Sequence, residues 1–264
     1  MTVRVAIFGL GEAGSRYAAD LVSAGAEVHA FDPAPVATPT GVTRHDQPSA
    51  AVVDAGVVLA LTAAADAPTA LAQALDAVPA GAIYADCATA SAGLKRDLAA
   101  TAAGAGLEFV DVALMAPVPG TGLRTPALAS GPGAARFVGV MGPLGMVVED
   151  DGPEPGRAAA RKLLRSVVMK GFAALLVESI EAARAAGLAD ETWENLVAQF
   201  TAADEALMRR LVEGTAPHST RRLHEMEATA ALLAELGVDP VMTRATVESL
   251  RRIDEGEAEV PELP

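Results

Sequence analysis

Apolar residues run almost unbroken through residues 3–8 (VRVAIF), stop at a glycine cluster, return at helical spacing to about residue 24, and run again through 27–31 before an acid, Asp32. A nearly continuous apolar strand is what a parallel sheet buried on both faces requires. In the cluster GLGEAG (9–14), each glycine has a physical task. Gly9 permits the sharp exit from the strand, Gly11 lets a phosphate approach the backbone, and Gly14 lets the next helix lie close to the sheet. Leu10, Glu12 and Ala13 complete the turn, and the N–H groups and positive dipole end of the helix face the same point. Asp32 falls twenty-one residues beyond Gly11, where a carboxylate accepts the hydroxyls of an adenosine ribose. The pattern predicts a Rossmann-type dinucleotide site. NAD is favoured because a 2′-phosphate would meet the charge of Asp32; Arg44 and His45, nearby in sequence, leave NADP open.

Strand and helix patterns go on alternating: strands at 56–63, 82–88, 107–114 and 125–132, with helices at about 68–77 and 91–103. That alternation predicts a doubly wound sheet over residues 1–152, with its ligand crevice at the carboxyl ends of the strands. Thr62, Ala63 and Thr89 fall at those ends. The two hydroxyls either reach a nicotinamide ribose or cap the turns that follow. At EDDGPEPG the chain turns acidic and rich in Pro and Gly, and everything after it has helical period. A second, all-helical domain is therefore expected over 153–264, for substrate binding and dimerisation. It begins with an interdomain helix over about 155–186, which at ~1.5 Å per residue would span about 45 Å. Further helices are expected at about 190–213, 218–236 and 240–253, stopped by Gly187, Gly214 and Gly237, with a frayed tail.

Composition narrows the function classes. A formal net charge of −14 argues against nucleic acid or an anionic membrane surface as partner, and no stretch has the length and apolarity of a membrane span. Cys87 is the only cysteine, which points to a reducing, cytoplasmic setting. At the end of a buried strand, Cys87 reads as a small core residue rather than a nucleophile. The four histidines have no metal-ligand spacing, so no metal is expected.

The long helix carries the other candidate chemistry. Lys162, Arg165, Ser166 and Lys170 stand at spacings of three, four and eight. At about 100° per residue, Lys170 lies only some 80° round from Lys162. A lysine beside a hydride-transfer site can donate to a substrate oxygen or nitrogen and move its proton.

GLGEAG, the strand ending DCAT, the strand FVDVALMAPVPG and this helix start together resemble the 3-hydroxyisobutyrate and 6-phosphogluconate dehydrogenase (β-hydroxyacid dehydrogenase) superfamily, over essentially the whole chain. The resemblance implies a Rossmann domain followed by a helical domain that pairs in a homodimer. In that family a G-x-G-x-x-x-K-x-x-N-N helix start carries the catalytic lysine. Here Gly156, Ala158 and Lys162 take the glycine, glycine and lysine places, while Arg165 and Ser166 stand where asparagines are usual. The family's Ser-Gly-Gly substrate loop corresponds to Met115, Ala116 and Pro117, and its late Lys-Asp pair to His224 and Glu225. The changes gather on the substrate side. They imply a divergent branch with an altered, anionic substrate, suited to the forked guanidinium of Arg165. In that branch Lys170 is a second candidate proton donor.

Arg124, in the loop between the last two strands, is a further candidate anion contact. Arg222 and His224 either reach an active site, across a dimer, or take part in helix charge pairs such as Arg222 with Glu225 or Glu227. The expected function is an NAD(P)-dependent oxidoreductase acting on a small hydroxy-acid-like substrate. An imine reductase or a non-catalytic dinucleotide-sensing dimer are the alternatives.

Overall fold

The computed structural model describes residues 2–264. They form two compact units that divide at Arg165/Ser166.

The first unit is the doubly wound domain. Strands β1 (Arg4–Phe8), β2 (Glu27–Phe31), β3 (Thr43–His45), β4 (Val57–Ala60), β5 (Ile83–Asp86), β6 (Glu108–Leu114), β7 (Ala127–Ser130) and β8 (Val148–Asp150) lie in the order β3-β2-β1-β4-β5-β6-β7-β8. All neighbours pair in parallel except β6 and β7. The crossovers include helices α1 (Glu12–Ser23), α2 (Pro48–Val52), α3 (Ala67–Leu75), α4 (Ala92–Gly104) and α5 (Ala134–Met141). Because strand side chains alternate between faces, Val5 and Ile7 enter one apolar cluster with Leu21, Leu59, Val110 and Phe137, whereas Ala6 and Phe8 enter the other with Val58, Leu71, Tyr84 and Phe109. This is why β1 reads as a continuous apolar run.

The acidic segment at 149–156 is not simply a linker. Glu149 and Asp150 belong to β8, which extends the sheet beside β7. Asp151 is buried and pairs with Arg157, at 3.5 Å, and with Arg161. The long helix α6 spans Arg157–Ala185. Its residues up to Arg165 count with the sheet unit, so the compact units part inside the helix rather than near residue 152.

In the second unit, residues 166–185 of α6 are followed by α7 (Ala189–Thr201), α8 (Glu205–Glu213), α9 (Ser219–Glu235) and α10 (Val241–Asp254). The single helix expected over 190–213 is two helices. The Asp204 side chain accepts from the backbone N–H of Leu207, at 2.9 Å, and starts α8 afresh. Glu178 reaches the start of α10, where it accepts from the N–H groups of Met242 (2.7 Å) and Thr243 (2.8 Å) and from the Thr243 hydroxyl (2.6 Å). Burial, which pushes this carboxyl up, is outweighed by the bonds from Thr243 and Met242, which hold it below its ordinary range. The tail has no helix or strand after Asp254, and the carbonyl of Pro264 accepts from Arg209 at 3.1 Å.

Candidate functional site

The glycine turn has the geometry its sequence requires. Gly9 adopts φ +91°, and a Cβ there would stand 2.6 Å from the carbonyl oxygen of Leu61. A Cβ on Gly14 would overlap the carbonyl oxygen of Gly9, so the helix sits as close to the strand as backbone allows. Gly11 is different, since nothing lies within 4 Å of a Cβ built on it. Tight packing behind and open space in front make a cradle for a ligand's phosphates. The first-turn N–H groups of α1 stand at this cradle with no side chain capping them; Glu12 and Ala13 provide two of them.

Asp32 stands just beyond β2. Its carboxylate accepts from the N–H of Leu10 at 2.6 Å and from that of Ala34 at 2.7 Å, which ties the acid to the glycine turn. Each oxygen keeps a lone pair for a ribose hydroxyl. Arg44 donates to the backbone carbonyls of Asp32 (2.9 Å), Ala34 (2.5 Å) and Val36. His45 stacks on His29 with ring centroids 5.0 Å apart. Burial first, then the charges of His29 and Arg4, hold it below the usual imidazole range. A cleft of about 580 Å³ opens here, lined among others by Asp32, Pro33, Arg44 and Gln73.

Farther along the same edge of the sheet, the Thr62 hydroxyl is buried with no hydrogen-bond partner among the described residues. Thr89 does not cap α4; Ser91 does, accepting from Leu94 N at 3.2 Å. The Thr89 hydroxyl instead accepts from the ammonium of Lys162 at 2.8 Å. One turn on, Arg165 donates to the carbonyl of Met115 at 3.1 Å. The open face at Gly11, the unspent donors of α1, the anchored acid and the orphaned Thr62 hydroxyl together fit a dinucleotide. Cys87 is buried, and its thiol is pushed up to about 12, first by burial and then by the charge of Asp86, which suits a core residue.

The remaining candidates are scattered. Ala63 follows Thr62 and is exposed, Ala116 and Pro117 are exposed beside half-buried Met115, and Arg124 is the exposed end of a 3-10 turn whose other two residues are buried. Ser166 is half-buried and Lys170 exposed, and both fall in the helical unit. Arg222 does not pair with Glu225 or Glu227. It donates to the Thr215 hydroxyl (2.6 Å) and the Leu211 carbonyl (3.1 Å), while Glu225 pairs with Arg221 and Glu227 with Arg251. His224 is exposed on α9.

One group of residues behind the site was not singled out from the sequence. Lys95 is fully buried, its ammonium 2.8 Å from the Asp86 carboxylate, 2.8 Å from the Asp86 carbonyl and 3.0 Å from the Asp111 carboxylate. The chain has three lysines among its 20 basic residues, and this scarcity was the signal available.

Comparison with known proteins places this geometry. Residues 4–125 match the NAD binding domain of 6-phosphogluconate dehydrogenase, and residues 183–253 match a domain of unknown function, DUF1932. A conserved hypothetical protein from Sinorhizobium meliloti 1021 is 28% identical, with 98% of this chain and 92% of that one covered and a TM-score of 0.63. A conserved protein described as structurally similar to 3-hydroxyacid dehydrogenases is also 28% identical, covering 97% of this chain and 98% of its own, with a TM-score of 0.62. The V8 variant of an imine reductase from Myxococcus stipitatus, in complex with NAD+, shares the fold at a TM-score of 0.81 but only 16% identity, with 97% and 95% covered. An uncharacterized 28.5 kDa protein of Methanothermus fervidus is 28% identical over 148 residues, so the match spans 57% of that relative's length and 56% of this chain.

Proposed function

Because the chain belongs to the β-hydroxyacid dehydrogenase-like superfamily, we propose that it is an NAD(P)-dependent oxidoreductase in which Lys162 moves the proton, acting on a small anionic hydroxy acid or a related compound. The observation that carries the reading is the Lys162–Thr89 bond of 2.8 Å, which holds an ammonium at the carboxyl end of β5, on the same edge of the sheet as the glycine turn.

Bound at the turn, a nicotinamide dinucleotide supplies the hydride-transfer chemistry. The chain's own residues do the rest. The N–H groups of Glu12 and Ala13 take up phosphate charge, and Asp32 accepts ribose hydroxyls. Asp32 also repels a 2′-phosphate, and Arg44 is turned to three backbone carbonyls, with only part of its fork left for such a group. NAD is therefore the preferred cofactor. The Lys162 ammonium donates to the substrate's oxygen or nitrogen and exchanges its proton there. Arg165 offers a forked donor to a carboxylate or phosphate.

Reduction of a C=N bond is a second reading. The Met115–Ala116–Pro117 segment favours it, because it offers no side-chain hydroxyl to a polyhydroxy substrate. A homodimer through the helical unit is part of the proposal. Helices α7 and α8 bury none of their residues, while Trp193, Val197, Phe200, Met208 and Leu211 lie exposed along them. Such a surface needs a partner, and a second copy carries the same surface.

Calorimetric titration with NADH and NADPH tests the cofactor, and Lys162→Ala tests the mechanism. Tighter binding of NADH, with turnover falling about 10²–10⁴-fold in the variant and NADH affinity unchanged, is expected. A Lys162→Ala protein that turns over normally points to Lys170 as the donor, which Lys170→Ala then decides, whereas a wild-type protein that binds NADH and turns over no substrate is a non-catalytic dinucleotide sensor.

A further inference from the structure

Two of the chain's three lysines bond to side chains of the sheet unit, Lys95 to Asp86 and Lys162 to Thr89. Lys95, on α4, donates to the carboxylate and the carbonyl of Asp86 at the end of β5 and forms an ion pair with Asp111 in the middle of β6. Asp86 also accepts from the N–H of Ala88 at 3.2 Å, in the segment that leads to Thr89. Asp111 accepts from the N–H of Ala159 at 2.8 Å and from the Ser130 hydroxyl at 3.3 Å, and the Ser130 oxygen accepts from the N–H of Ala158 at 3.0 Å. The first turn of α6 is thus capped by side chains from two strands. Gly156, at φ +87°, lets that turn close on α4, for a Cβ there would stand 2.6 Å from the Ala92 carbonyl oxygen. One buried ammonium therefore joins the strand that presents Thr89 to the strand that caps the helix presenting Lys162.

We propose that Lys95 is a positioning residue, fixing Lys162 against Thr89 through Asp86 on one side and the Asp111–Ser130 cap of α6 on the other. The inference rests on the reading of Lys162 as the proton-transfer group. Two carboxylates and one ammonium leave a single negative charge buried at a helix N-terminus, where it is favourable. Hydrogen bonds and ion pairs closed off from water hold such a cluster stiffly. A core held by apolar packing alone could seat α6 but would not set the side-chain register of its second turn.

Lys95→Met alone leaves two buried carboxylates facing each other and threatens folding. Lys95→Met with Asp86→Asn keeps the net buried charge and the Asp111 cap, and removes only the bridge. In the full-length protein, Lys162 acylation by an amine-reactive reagent is read by mass spectrometry against Lys170 as internal reference. Amide hydrogen exchange is followed over residues 157–165. Expected are a rise of about threefold or more in relative Lys162 acylation, faster exchange at the start of α6, and unchanged NADH affinity. Once a substrate is in hand, kcat should fall with the cofactor KM unchanged. A folded double variant with wild-type acylation and exchange would overturn the proposal, and so would a parallel loss of NADH affinity, because the cluster would then be holding the sheet as a whole. Should the double variant not fold, Ser130→Ala removes the cap bond from Ala158 and the bond to Asp111 and must give the same changes in smaller measure; wild-type values there would overturn the proposal. If the wild-type protein binds no NADH, the oxidoreductase reading fails while the acylation ratio still decides the positioning role.

Discussion

The two units meet the same physical requirement, burial of apolar surface, in opposite ways. In the sheet unit every strand of the β1-β4-β5-β6 core is buried and two apolar clusters fill both faces. In the helical unit, Ala182, Leu233 and Val238 form a small cluster, Phe172 and Phe200 meet edge to face at 4.6 Å, and Trp193 is 55% exposed. The first unit is complete as it stands. The second has more apolar surface than its own fold can cover, and its stability is the quantity a second copy would change.

The contrast breaks most severely at Gly14. A methyl group there would overlap the Gly9 carbonyl, and neither backbone can retreat without parting β1 from α1. Gly14→Ala should abolish NADH binding and lower the unfolding temperature of the sheet unit by several degrees, a loss of about 2–4 kcal/mol. Gly11→Ala, where the Cβ meets open space, should fold normally and lose only NADH affinity. Calorimetry and thermal melts separate the two, and equal behaviour would contradict the division of tasks between these glycines.

On the helical side, Trp193→Glu with Val197→Glu puts charge on exposed positions of α7. In a monomer such changes cost about 0.5 kcal/mol or less. At an interface between copies they bury unpaired carboxylates and should convert the protein to monomers in analytical ultracentrifugation, with NADH binding retained. A wild-type protein that already sediments as a monomer would remove the proposed reason for the exposed face.

The same difference decided what could be read from the sequence. The β1-α1-β2 unit was legible because its signals are local: an apolar run, three glycines with separate tasks, and an acid at the right distance. The mostly parallel sheet followed from alternation. Strand β3 and helix α2 were not legible, because a three-residue edge strand, Thr43–His45, carries no apolar period. Strand β8 was hidden by its acids, which an edge strand tolerates. Helix α5 went unread, since AARFVGVM mixes small and β-branched residues with a glycine. Lys95 resembled a solvated position on α4, and only residues 86 and 111, brought together by strand pairing, explain its burial. Non-local partners of this kind leave no pattern along the chain. In the helical unit the break before α8 rested on one residue, Asp204, whose capping role competes with a helical pattern continuous on both sides of it.

The smallest effect, and the finest test of the contrast, is at Glu178. Its carboxylate holds the start of α10 through three bonds, and its folded-state pKa lies below the ordinary value. A carboxyl lowered on folding stabilises the protein fully above its unfolded pKa and loses that contribution as pH falls through the folded pKa. The helical unit should therefore weaken on acidification in a way that Glu178→Gln abolishes. The variant should also cost about 1–3 kcal/mol at neutral pH, because the amide accepts at one atom only and turns N–H toward a backbone donor. The cofactor side makes no use of Glu178, so NADH affinity per folded molecule should be the same in both proteins. Melts at neutral and mildly acidic pH, read beside the NADH titration, give the result: a gap between wild type and Glu178→Gln that narrows with falling pH, against a constant gap if the glutamate merely fills space.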